Sequence, residues 1–238
     1  DTLNRPKQLL LLLLHGLLPV AIIHLQGDDG TALVMAVIFA AMLFTAGLSW
    51  KYILPVAAMI PPAAIVAWNF LLDDDKKNRI LAVIDPTLVE AADSWQQQRG
   101  LISIGNGGLW GKGVFMETGQ FRYVPEVYND FIFTYIGETV GFIGCLAVLL
   151  VLAFLCIRIL SNGLRAPDDL GKYICVGVFA MIGIQIIINI GMCLGMMPVI
   201  GVTLPFLSAG GTSTGTLYLA IGVVLSVYVH SGKDRLFG

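Results

Sequence analysis

Charge is scarce in this sequence: Asp, Glu, Lys and Arg together supply 13% of its 238 residues, about half the share of a soluble domain. With 57% hydrophobic residues and a mean hydropathy of +0.83, that deficit excludes a water-soluble fold. Basic residues do not outnumber acidic ones, 14 against 16 for a net charge of −2, so no polyanion-binding footprint exists and nucleic acid is excluded as a partner. The four cysteines, Cys145, Cys156, Cys175 and Cys193, lack CxxC spacing and fall inside apolar runs. That excludes a disulfide framework and a zinc knuckle. His15, His24 and His230 have no second histidine at helical ligand spacing, so each reads as a hydrogen-bonded or interfacial residue.

What the chain does have is long apolar runs. A helix crosses the hydrocarbon core in roughly 20 residues, and six such runs lie near 8–25, 31–48, 52–72, 131–160, 173–197 and 205–230. The expected fold is all-α, a polytopic membrane helix bundle of about six transmembrane helices forming one membrane domain. The chain starts at Asp1 and enters a hydrophobic helix at once, which reads as a fragment with no signal peptide.

Lys and Arg set the expected orientation. With a cytoplasmic N-terminus, the short inside segments hold Arg5, Lys7, Lys51, Arg158, Arg165, Lys172, Lys233 and Arg235, and the short outside turns 25–30 and 198–203 hold no Lys or Arg. Both ends of the chain are then cytoplasmic. Residues 73–130 become a long extracytoplasmic loop, far beyond the two to eight residues that connect helices in a bundle, and so carry function. Inside it, 78–83 and 88–95 are expected as short interfacial helices separated by Pro86.

Three polar stretches could carry chemistry. In 123–144, YVPEVYNDFIFTYIGETVGFIG, Glu126 and Asp130 stand at the mouth of a membrane helix and Glu138 follows about two turns deeper. An acid at that depth costs several kcal/mol unless it is paired or faces water. Two readings stay open: Asn129 or Asp130 caps the helix, or Asp130 is a base in a polar cavity. In 104–113, IGNGGLWGKG, glycines and Lys112 could admit a phosphate, although the spacing is not that of a P-loop and a flexible turn is the simpler alternative. In 189–222, Pro198, Pro205 and Gly210-Gly211 imply interrupted helix, while Gly211 and Gly215 have the GxxxG spacing of helix packing. Gln185 and Asn189 read as interhelical hydrogen-bonding residues. Asp28 and Asp29 form either a solvated turn or a cation site.

Together these stretches resemble the SEDS family of shape, elongation, division and sporulation membrane proteins (RodA/FtsW/SpoVE). Residues 26–31, QGDDGT, look like the family's QPDLGT turn; Arg79-Ile80 with Asp85-Pro86 like its RI…DP segment; and 105–113 like its IGSGGLxGKG. Pro125-Glu126 with Asp130 to Phe133 matches PExxTDFIF, and 201–213 matches GxxLPFxSxGGxS. Thr139 stands where the family has the second Glu of GEE.

The resemblance implies that the chain corresponds to the fifth through tenth of about ten helices. It also implies a peptidoglycan glycosyltransferase that polymerises lipid II at the outer face of the bacterial cytoplasmic membrane, with a class B penicillin-binding protein as partner. Asp130 takes the position of the family's essential loop aspartate and is the expected catalytic base. Glu126, Lys112, Arg79, Gln96, Glu138 and Ser208 are the expected substrate-contacting residues. Arg122 or a divalent cation, magnesium or manganese, could also neutralise the diphosphate. Two rival readings are a lipid II transporter, which would need polar residues through the whole membrane depth, and a noncatalytic scaffold for a penicillin-binding protein.

Overall fold

The structure is a computed structural model that describes residues 3–113 and 123–237, and side chains throughout these except at 91–93 and 232–237. Every regular element among them is helical: α1 (Pro6–Leu25), α2 (Asp29–Thr45), α3 (Trp50–Phe70), α4 (Asp74–Ile84), α5 (Ala91–Gly107), α6 (Ile132–Leu164), α7 (Asp169–Cys193) and α8 (Gly211–Phe237), with one 3-10 turn at Pro86–Leu88. Five of these, α1, α3, α6, α7 and α8, are long and apolar enough to cross a membrane; α2 is apolar but has 17 residues. The starts obey local chemistry. Pro6 sits in the first turn of α1, Asp28 caps α2 by accepting from Thr31 N at 2.9 Å, and Asp168 caps α7 by accepting from Gly171 N at 2.9 Å.

Packing centres on α7, which lies against α2 on one side and α6 on another, with α8 against both α6 and α7. α1 lies on α2. α3 carries Pro55, Pro61 and Pro62 and buries no residue. The core beneath the loops gathers Val124, Phe131, Phe133, Ile190, Cys193 and Leu204; burying one such side chain contributes about 2 kcal/mol. All four cysteines are free and buried.

The loop between α3 and α6 departs from expectation. Its second helix spans Ala91–Gly107, where 88–95 is the sequence-based range, and it packs into the bundle against α6 and α7. Its polar face explains this: Gln97 is buried and gives both amide N–H groups to carbonyls, Met192 O at 2.9 Å and Met197 O at 2.9 Å. It thereby adds a donor to Met192 O, which Gly195 N also reaches at 3.2 Å, and supplies one to Met197 O just beyond the end of α7.

The glycine stretch is no free turn either. Its first half is the end of α5, which runs to Gly107, and residues 108–113 dock into a break in α6 at Gly141 (φ 74, ψ −169). Lys112 N and Gly113 N donate to Glu138 O and Thr139 O, each at 2.9 Å. In return Phe142 N donates to Gly108 O at 2.9 Å and Ile143 N to Leu109 O at 3.2 Å. The loop thus supplies partners for the carbonyls and N–H groups that a helix break strands. A Cβ on Gly107 would overlap Gly137 O, and one on Gly111 would overlap Thr139 O.

Two further differences concern the C-terminal third. Residues 205–210 lie outside α8, which begins at Gly211. A Cβ on Gly211 or Gly215 would meet nothing within 4 Å, so their GxxxG spacing packs no helix among the described residues.

Gly111→Ala should therefore lower stability by about 3 kcal/mol, from overlap with the α6 backbone and the positive φ of 79°. Gly105→Ala, where a Cβ has open space, should leave it unchanged. Thermal unfolding of the two variants in the same detergent makes the comparison.

Candidate active site

Residues 123–131 reach α6 as an irregular turn. Its N-cap is Phe131, which makes no side-chain cap bond, so the capping alternative for Asn129 and Asp130 falls. Glu126 takes a left-handed φ of 51°, a conformation that costs about 1 kcal/mol in a non-glycine residue. Its carbonyl accepts from Asn129 N at 3.0 Å and Phe131 N at 3.1 Å, and its carboxylate from Asn129 Nδ2 at 2.6 Å. Gln96, on α5, donates to Pro125 O at 3.1 Å and fixes the start of the turn.

Three consecutive carbonyls of this turn are then held from three directions. Tyr128 O accepts from Ala209 N at 2.8 Å, Asn129 O from the Ser208 hydroxyl at 2.6 Å, and Asp130 O from Asn189 Nδ2 at 2.8 Å. Ser208 is buried and its oxygen also accepts from Leu204 N at 2.7 Å. Asn189, with 0% of its surface exposed, uses its second N–H on Val202 O at 2.7 Å. The non-helical stretch between α7 and α8 is thereby stitched to the residues that precede α6.

The Asp130 carboxylate leaves this clamp half-buried and faces Gly201, an exposed glycine with φ +69°, where a Cβ would lie 3.5 Å from Oδ2. Burial first, and the neighbouring Glu126 charge second, push the Asp130 carboxyl above the usual carboxylate range. Arg79, exposed on α4, donates to Val199 O at 3.1 Å and so borders the same segment. Gly30 is apposed to Ile200 O. Beside it Asp28 serves as a helix cap, and Asp29 pairs with Lys76 at 2.8 Å and lies 2.6 Å from His24 Nδ1. The two acids of that turn are thus engaged with protein groups.

Lys112 and Glu138 form a second cluster. Glu138, 2% exposed, accepts from the Lys112 ammonium and from the Ser103 hydroxyl of α5. A buried acid needs such partners. Of the residues the sequence singled out, Asp130 and Glu126 share one turn that Gln96 and Ser208 bond from neighbouring segments, Arg79 borders the facing Val199 segment, Lys112 and Glu138 sit at the α6 break, and Arg122 lies outside the described residues. Sequence reading missed Gln97 and Ser103 and took Asn189 for a bond between helices. The available signal for Asn189 was an amide within an otherwise apolar run, shared with Gln185.

The fold defines a multi-pass membrane protein with an ionisable site where the loops meet the helix ends. The chain matches the family described as cell cycle protein, FtsW/RodA/SpoVE, over residues 1–233, and it belongs to that family. It is 34% identical over 218 residues to the peptidoglycan glycosyltransferase MrdB of Escherichia coli K12, covering 90% of this chain and 58% of that protein. It is 37% identical over 210 residues to the stage V sporulation protein E of Bacillus subtilis 168, covering 88% and 57%. The chain thus spans a little over half the length of these relatives. Among solved structures, a chain of a peptidoglycan synthase complex that coordinates polymerization and crosslinking superposes with a TM-score of 0.78 at 26% identity, covering 96% of this chain and 63% of that one. A rod-shape-determining RodA mutant of Thermus thermophilus gives 0.59 at 28%, covering 95% and 57%.

The electrostatics of the two clusters lead to two outcomes. Because the folded state raises the Asp130 carboxyl, the stability tied to its proton is full below the ordinary value of 3.8 and lost as pH rises through the elevated one. Asp130→Asn should melt above the wild type near pH 7, and the gap should narrow as the pH is lowered toward about 4. At the other cluster, Lys112→Met should cost about 3 kcal/mol by removing the cation from a buried carboxylate. Adding Glu138→Gln should restore most of that loss in the same melting assay.

Proposed function

We propose that this protein is a peptidoglycan glycosyltransferase that polymerises lipid II, with Asp130 as its general base. The reading is supported above all by one observation: a half-buried carboxylate, raised in proton affinity, is held by main-chain clamps at an exposed glycine at the mouth of the bundle. A base that must take a proton near neutral pH works best when its pKa is raised toward that range. Relatives named as peptidoglycan glycosyltransferases support the substrate class.

In the proposed step Asp130 accepts the proton of an acceptor sugar hydroxyl as that oxygen bonds to the anomeric carbon of a second lipid-linked saccharide. The bond from that carbon to the diphosphate breaks, and the lipid diphosphate leaves with its electron pair. The result is inversion without a glycosyl-enzyme intermediate. Arg79 is the preferred basic group for the leaving diphosphate, because a guanidinium has five N–H donors and Val199 takes one. Lys112 is already committed to Glu138 and acts at greater distance.

A divalent cation, magnesium or manganese, fits the donor set of Asp130 and Glu126, since magnesium is commonly held by one or two carboxylates together with substrate phosphates. Among the described residues no group of three or more His, Cys, Asp or Glu forms a protein-only cage. Bound there, the ion would supply positive charge to the departing diphosphate.

The placement of Lys and Arg supports a cytoplasmic location for both ends of the chain and an extracytoplasmic one for the loop. The match to a chain of a peptidoglycan synthase complex supports a class B penicillin-binding protein as partner.

Asp130→Asn in the full-length protein should reduce lipid II polymerisation by at least about a hundredfold while the protein still inserts into the membrane and folds. Gel separation of labelled glycan strands measures it; product at the wild-type level would refute the assignment.

A further inference from the structure

Asn189 sits in α7 within an apolar run, 0% exposed, four residues before the helix ends. Both acceptors at its NH2 end are carbonyl oxygens, Asp130 O at 2.8 Å and Val202 O at 2.7 Å, while the Cys193 thiol approaches its Oδ1 at 3.9 Å. Only the NH2 end of an amide can satisfy two acceptors, so the orientation of the side chain is fixed by its partners. It therefore ties the Asp130 main chain directly to the segment that contains Gly201, one residue from Val202. An aspartate carboxylate is separated from its main chain by only two torsions, and here the main chain of Asp130 and the segment of the glycine it faces are located by the same amide.

We propose that Asn189 is a positioning residue for the glycosyl transfer: its two hydrogen bonds fix the Asp130 carboxylate against Gly201 at the distance the acceptor hydroxyl requires. The inference rests on Asp130 being the base. Ser208 supports the adjacent carbonyl but bonds Asn129 and Leu204, so it steadies the turn without joining Asp130 to the Gly201 segment. The titratable groups facing Asp130 are Glu126 on its own turn and the Cys193 thiol of α7, whose sulfur lies 3.7 Å from Asp130 O; Arg79 borders the Gly201 segment through Val199 O.

The test compares Asn189→Leu, which keeps the volume and removes both donors, with the wild type in the full-length protein, using labelled lipid II across a pH series. The expected result is a kcat lower by about tenfold to a hundredfold, as a misplacement near 1 Å produces, with KM changed less than about threefold. In an Asp130→Asn background the same change should lower the residual rate no further.

A folded Asn189→Leu protein with unchanged kcat would overturn the proposal, as would a loss that tracks only the folded fraction. If Asn189→Leu fails to accumulate, Asn189→Ser is judged by the same criteria. Should Asp130→Asn itself polymerise normally, it is the assignment of the base that fails, and the effect of Asn189→Leu then has no bearing on it.

Discussion

Three successive main-chain carbonyls, those of Tyr128, Asn129 and Asp130, are the point on which the site depends. Near the bilayer an unpaired carbonyl costs several kcal/mol, so an irregular turn can persist there only if other parts of the chain bring donors to it. They come from a main-chain N–H, a hydroxyl and an amide on two different segments. Two of these donors answer a local need of their own as well: Ser208 also receives Leu204 N, and Asn189 also serves Val202. The same bonds that make the turn tolerable therefore lock the irregular stretch after α7 against the start of α6. Asp130 inherits a fixed position from that requirement.

The break in α6 is solved by the same rule with different material. At Gly141 the helix loses its internal partners, and residues 108–113 replace them with four main-chain bonds. This docking carries Lys112 to Glu138, so a buried acid deep in the helix gains its cation from the loop that repairs the backbone. The two acids of this helix region thus differ by environment. Glu138 is buried and accepts from the Lys112 ammonium and the Ser103 hydroxyl. Asp130 is half-open beside another acid, an arrangement that favours uptake of a proton.

Sequence reading was good where the signal lay in the side chain itself. Apolar runs located the membrane helices because a span needs a continuous stretch of them, and Asp130 was singled out as an acid at a helix mouth in the place of the family's loop aspartate. It was poor where the partner was main chain. The carbonyl clamp leaves little trace in composition beyond Asn189 and Ser208, and the glycines at 105–113 read as a turn because only the apposed Gly137 and Gly141 reveal that they permit contact. α5 was misplaced for a related reason: Gln97 and Ser103 look solvent-facing until α7 and Glu138 supply the groups they bind.

Thr139 departs from the family pattern, and the same electrostatic constraint accounts for it. The family has a second glutamate there, next to the position of Glu138. A second carboxylate at a site 3% exposed would need its own cation or a proton, and Lys112 is already bound to Glu138. Threonine removes that demand, because its hydroxyl donates to Tyr135 O at 2.8 Å within the same helix, while its carbonyl remains available to Gly113 N. The substitution thus lowers the charge of the buried cluster and leaves the main-chain junction at the α6 break intact. The groups that hold the turn, Asn189 on Asp130 O, Ser208 on Asn129 O and Ala209 on Tyr128 O, do not bond Thr139.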